Sequence, residues 1–172
     1  VEATSIEMKS IDSILYAFIG SVHSTIDTPD FWIFDMSDPE NPSLVGTPID
    51  INNGIPWPGS HGGESKDGIN DLQVVGTYAY VLRNYKKDQL QVIDISNLNN
   101  PTQVTPPISF ESRGVTQTGS EPQGVIIKYY GGRLYIGLHT TQGPELLVYD
   151  ISVDPEQPAF VGAISSGFDH SI

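Results

Sequence analysis

Apolar residues in this chain come in short runs separated by turn formers. Leu15-Tyr16-Ala17-Phe18, Phe31-Trp32-Ile33-Phe34, Ala79-Tyr80-Val81-Leu82, Leu134-Tyr135-Ile136 and Leu146-Leu147-Val148-Tyr149 are rich in β-branched and aromatic side chains and bounded by Gly, Pro, Asn or Asp. Runs of four to eight such residues predict strands. No segment holds an apolar 3.6-residue period long enough to predict a helix. In the middle of the chain, Ile69–Val75, Tyr78–Asn84, Gln89–Ile95 and Gln103–Val104 read as four successive strands. Gly76-Thr77 would turn the first hairpin, and Gly131-Gly132 the corresponding hairpin later on.

The runs recur. Phe31-Trp-Ile-Phe-Asp35-Met-Ser37, Leu90-Gln-Val-Ile-Asp94-Ile-Ser96 and Leu146-Leu-Val-Tyr-Asp150-Ile-Ser152 align without gaps, at intervals of 59 and 56 residues between the aspartates. A proline follows each aspartate by seven or eight positions, at Pro42, Pro101 and Pro158. A Tyr-containing run precedes each, around Tyr16, Tyr80 and Tyr135. Four antiparallel strands per unit, repeated, predict an all-β fold: a β-propeller segment of about three four-stranded blades plus the start of a fourth. Blade 1 spans about 4–51, blade 2 about 69–106 and blade 3 about 123–164, with 167–172 opening a further blade.

This pattern of apolar residues, Asp, apolar, Ser, then Pro and Val-Gly, resembles the LVIVD-repeat propellers, which occur widely in bacterial surface and secreted proteins. The resemblance covers nearly the whole chain and implies an extracellular or cell-surface location; it carries no activity. One departure is that Thr105-Pro106-Pro107 replaces Val-Gly in the second repeat, which predicts a short or irregular outer strand there.

Composition narrows the partners. With 8 Lys and Arg against 21 Asp and Glu the formal charge is −13. Such a chain repels phosphate backbones and anionic lipid, so neither nucleic-acid binding nor membrane insertion is expected. The absence of cysteine removes disulfides, thiol nucleophiles and Cys-based zinc sites. The first residue is Val1 rather than Met and no signal peptide is recognisable, so the chain reads as a processed protein or a piece of a larger one.

The repeated residues read as structural. Asp35, Asp94 and Asp150 each precede a turn whose amides their carboxylates could accept, and a catalytic acid is rarely needed three times at equivalent places. Ser37, Ser96 and Ser152 read as turn hydroxyls, Pro42, Pro101 and Pro158 as fixing the backbone before an outer strand, and the three tyrosines as packing between blades. Function is then expected on loops at one end of the channel. Two connections are long: 48–68, carrying Trp57 and His61, and 106–123, carrying Arg113. Trp57, His61, Asp71, Arg113, Asp169 and His170 are the candidate binding residues, with Trp57 suited to a carbohydrate or peptide. Of these His61, Asp71, Asp169 and His170 could gather at the channel mouth around a divalent metal, and the acids Asp27, Asp30, Asp35, Asp38 and Glu40 are a weaker calcium candidate. No cofactor is predicted.

The expected function is a non-catalytic binding or assembly module, taking a protein or glycan ligand or further copies or blades of the same propeller. The alternatives are a metal-dependent enzyme or metal-binding propeller with its site at the channel mouth, and a self-assembling structural subunit. Three blades are fewer than the ~4 to 8 of closed propellers, so the chain reads as part of a longer propeller or as a protomer completed by its copies.

Overall fold

The computed structural model describes residues 2–23, 28–51, 67–83, 89–110, 123–139 and 144–165. Among the described residues all regular structure is antiparallel strand. The first unit comprises β1 (Glu2–Ile11), β2 (Ile14–His23), β3 (Phe31–Asp35) and β4 (Ser43–Leu44). The second comprises β5 (Asp67–Val75), β6 (Tyr78–Arg83), β7 (Leu90–Asp94) and β8 (Thr102–Ile108). The third comprises β9 (Gln123–Tyr130), β10 (Arg133–His139), β11 (Leu146–Asp150) and β12 (Ala159–Ile164). Within each unit, strands pair in chain order. The all-β, antiparallel fold expected from the runs is the fold observed.

Each unit opens with a two-residue hairpin. Gly131 and Gly132 both take positive φ, as a type I′ turn requires, whereas Gly76 alone does so in the second unit. Asp12 and Ser13 make the first hairpin with φ of 50° and 68°, without a glycine to announce it. The residue after each repeated aspartate then donates its N–H back to the hairpin region: Met36 to Leu15 O, Ile95 to Thr77 O and Ile151 to Gly132 O.

Two cores separate the units. The first joins Phe18, Phe31 and Ile33 to Ile69, Leu72, Val81 and Ile93. The second joins Tyr80, Leu82, Leu90 and Phe110 to Ile127, Leu134, Ile136, Leu147 and Tyr149. The middle unit is therefore covered on both faces, and β6 and β7 are buried almost throughout, while β3 and β11 alternate between buried and half-buried positions. Burying one such aliphatic or aromatic side chain is worth about 1.5–3 kcal/mol, so these two seams set the order of the units.

Two details differ from expectation. The outer strand β8 is not short: it runs seven residues through Pro106 and Pro107, the longest of the outer strands. It lies at an edge, where proline's missing N–H is tolerated, and only its register is irregular, slipping opposite Leu90 and Val92. The first two units are also joined by backbone pairing, Val22 with Gly68 and His23 with Asp67, where β5 runs on beside β2 past the end of β3. Gly68 permits this approach: its φ is 139°, and a Cβ there would stand 2.2 Å from Ser21 O.

Candidate functional site

The three opening strands, β1, β5 and β9, are stitched together by polar side chains from β5. The Asp71 Oδ1 atom accepts hydrogen bonds from Ser5 Oγ at 2.7 Å and from the Leu72 N–H at 2.9 Å. Its Oδ2 accepts the Ile127 N–H of β9 at 2.9 Å, and Lys128 Nζ stands 3.9 Å away. Two residues on, on the same side of the strand, Gln73 donates to Glu7 Oε1 at 2.9 Å and accepts the Tyr129 N–H at 3.3 Å. Asn70 Nδ2 donates to Gly124 O at 2.8 Å, and the Thr4 hydroxyl bonds Ile69 O. A register shift between Ile69 and Asp71 accompanies this arrangement. Both Asp71 oxygens are thus engaged in holding three strands in register.

Of the other candidates at the channel mouth, Trp57, His61, Arg113, Asp169 and His170 lie outside the described residues. The structure therefore places Asp71 alone of that group. Among the described residues no three His, Asp or Glu side chains gather as metal ligands. In the acidic stretch, Asp27 lies outside the described residues. Buried Asp30 accepts the Ile51 N–H at 3.2 Å, and Asp38 accepts Glu40 N–H and Asn41 Nδ2.

The repeated aspartates share one geometry. Asp35, Asp94 and Asp150 each accept the N–H of the serine two residues on at 2.8 Å. Hydrogen bonding to Ser37 holds the Asp35 carboxyl below the usual range, and Ser152 does the same for Asp150. β4, β8 and β12 begin directly after Pro42, Pro101 and Pro158.

Further along β5, at its hairpin with β6, an open cleft of about 250 Å³ lies between the second and third units. Val75, Tyr78, Tyr80, Tyr129, Ile151 and Pro155 line it. The Tyr80 hydroxyl donates to Pro155 O at 2.8 Å, and the Tyr78 hydroxyl to Glu156 Oε1 at 2.9 Å. That bond to Glu156 raises the Tyr78 pKa, with burial and the negative charges of Glu156, Asp94 and Asp154 acting the same way. Burial chiefly raises that of Tyr80.

Tyr80 stands where the other units have Phe18 and Tyr135, and Tyr78 where they have Tyr16 and Arg133, by pairing with the repeated aspartate strands. Tyr129 stands where they have Met8 and Val74. Asp154-Pro155-Glu156 stands where the first repeat has Asp38-Pro39-Glu40 and the second has Asn97-Leu98-Asn99. Sequence reasoning passed over these residues because each fits a strand or turn by itself. For Tyr129, which stands where the other units have Met8 and Val74, the signal that could have found it is departure from the repeat.

Comparison with known families bears on the middle unit. The family model for the LVIVD repeat matches residues 69–105. The second unit carries an LVIVD repeat. The match falls on the strands of the second unit, a β-propeller-type repeat module, and the units on either side repeat its strand order and its Asp-x-Ser turn. No curated protein and no solved structure was found to match the chain.

Proposed function

We propose that the chain is a non-catalytic binding module, with its recognition surface at the cleft between the second and third blades. The observation that carries this is an open cleft in whose lining Tyr129 stands where the other units have Met8 and Val74, beside Tyr78 and its hydrogen-bonded acid Glu156. Asp71 supports the non-catalytic part, because its carboxylate is occupied by strand-to-strand hydrogen bonds. At about 250 Å³ the cleft is below the ~300–1,000 Å³ of sites that enclose a whole drug-sized ligand. It suits the tip of a protein ligand or a small substituent. A screen of peptides and oligosaccharides against the whole chain and its Tyr129→Ser variant tests this. Ligands lost on substitution, with an unchanged circular dichroism spectrum, support it; identical binding by both proteins refutes it.

A second reading, self-association, has its own observation. The row Met8, Ala17, Phe34, Leu44 faces away from the first core, as does the row Ile126, Gly137, Leu146, Ile164 from the second. Ile6 is 61% exposed and Ile164 59%, and apolar sheet faces of this kind take a further blade of the same repeat. Light scattering on the chain and on Ile6→Lys and Ile164→Lys variants decides it: association abolished by the lysines supports stacking, and a monomeric parent excludes it.

A further inference from the structure

We infer that the tyrosine cleft binds an alkyltrimethylammonium group, an inference resting on the binding-module function proposed above. Three observations carry it. First, Tyr78 and Tyr129 line one small opening with Tyr80 buried behind it, and the π faces of tyrosine attract cations. Second, the charges acting on the Tyr78 hydroxyl are those of Glu156, Asp94 and Asp154, all acids. Glu156 is held at the rim by its hydrogen bond from Tyr78. Third, the rest of the lining is mostly carbon, with Val75, Ile151, Pro155 and two glycines beside the Thr77 and Ser152 hydroxyls, which offers little to replace the full water shell of a primary ammonium or a metal ion.

These three features select by exclusion. A compact ammonium is strongly hydrated and would lose water to aliphatic carbon. An anion would meet the acids. A neutral ligand of the same shape would gain the apolar contact but nothing from the tyrosine quadrupoles or Glu156. A trimethylammonium head carries charge on an apolar surface and fits all three. The boundary between the first and second units differs in the other features: Tyr16 stands at the place of Tyr78, but Val74 replaces Tyr129, Asn97 and Asn99 replace the acids, and Leu98 packs against the core.

Titration of the chain, followed by NMR, with choline and with its neutral isostere 3,3-dimethyl-1-butanol tests the assignment. A trimethyllysine peptide titrated in parallel identifies whether a free solute or a polymer side chain is the tighter source of the same head group. Choline or the peptide is expected to bind at least about tenfold more tightly than the neutral isostere. Tyr129→Ser should lose that binding and Glu156→Gln weaken it several-fold, both with unchanged thermal unfolding midpoints. Equal binding of choline and the isostere would overturn the cation assignment while leaving a ligand cleft in place. No binding of either ammonium by the folded chain would overturn it outright, and the library screen then decides the broader function separately.

Discussion

The two boundaries between blades are built from the same repeat and differ at their rims. Behind the rim they match: each packs buried side chains from two neighbouring units, and each has a buried aromatic, Phe18 or Tyr80, at the same place on its second strand. At the rim, Leu98 fills in at the first boundary, whereas Pro155 at the second uses its carbonyl to anchor Tyr80 and leaves a cleft. The core positions are shared, and a handful of differences beside a hairpin open a cleft at the second boundary.

The largest effect that could break this comparison is in the cores. Leu72→Ala in the first and Leu82→Ala in the second should each cost about 2–5 kcal/mol, because both side chains are fully buried and leave a cavity. Urea unfolding measures it, and a loss below about 1 kcal/mol for either variant would mean that the boundaries are not equally packed. Next comes the polar seam. Asp71→Ala leaves the Ile127 N–H and Ser5 hydroxyl without their acceptor, an expected cost of about 1–3 kcal/mol by the same measurement. Hydrogen exchange at Ile127 should speed up in that variant; unchanged exchange there would sever the seam from the fold's stability.

The smallest effect concerns the turn aspartates. The folded Asp150 carboxyl is held below its ordinary range, so its contribution is present above the unfolded pKa of about 3.9 and is lost as pH falls through the lower folded value. Asp150→Ala should therefore lower the unfolding midpoint by a few degrees near neutral pH and converge on the parent in acid. A difference that persists unchanged at low pH would mean that the carboxylate is not the source.

Much of the fold was legible because the repeat is written at several levels at once. The Asp-x-Ser turn, the proline before the outer strand and the glycine hairpins all agree. The hairpin at Asp12-Ser13 was not legible, since positive φ is announced by glycine and neither residue is one. The length of β8 was hidden by Pro106 and Pro107, which read as an end of pairing although an edge strand accommodates them. Of the site residues singled out from sequence, Asp71 lies where its neighbours can be named, and it bonds strands together. Trp57, His61, Arg113, Asp169 and His170 belong to segments outside the described residues. Tyr129 was missed because an aromatic in a strand looks like packing until its counterparts, Met8 and Val74, are set beside it.

The backbone joint at Gly68 has a consequence for how the molecule opens. The first two blades share ladder hydrogen bonds through Val22 and Gly68, while the described strands of the second and third meet through side chains and the bonds from Asn70, Asp71 and Gln73. In a linear array of repeats, the strength of each junction sets which neighbours unfold as one cooperative unit. Blades one and two form such a unit, and the third is the one that can loosen alone. Its loosening would take apart the tyrosine cleft while leaving the first core intact.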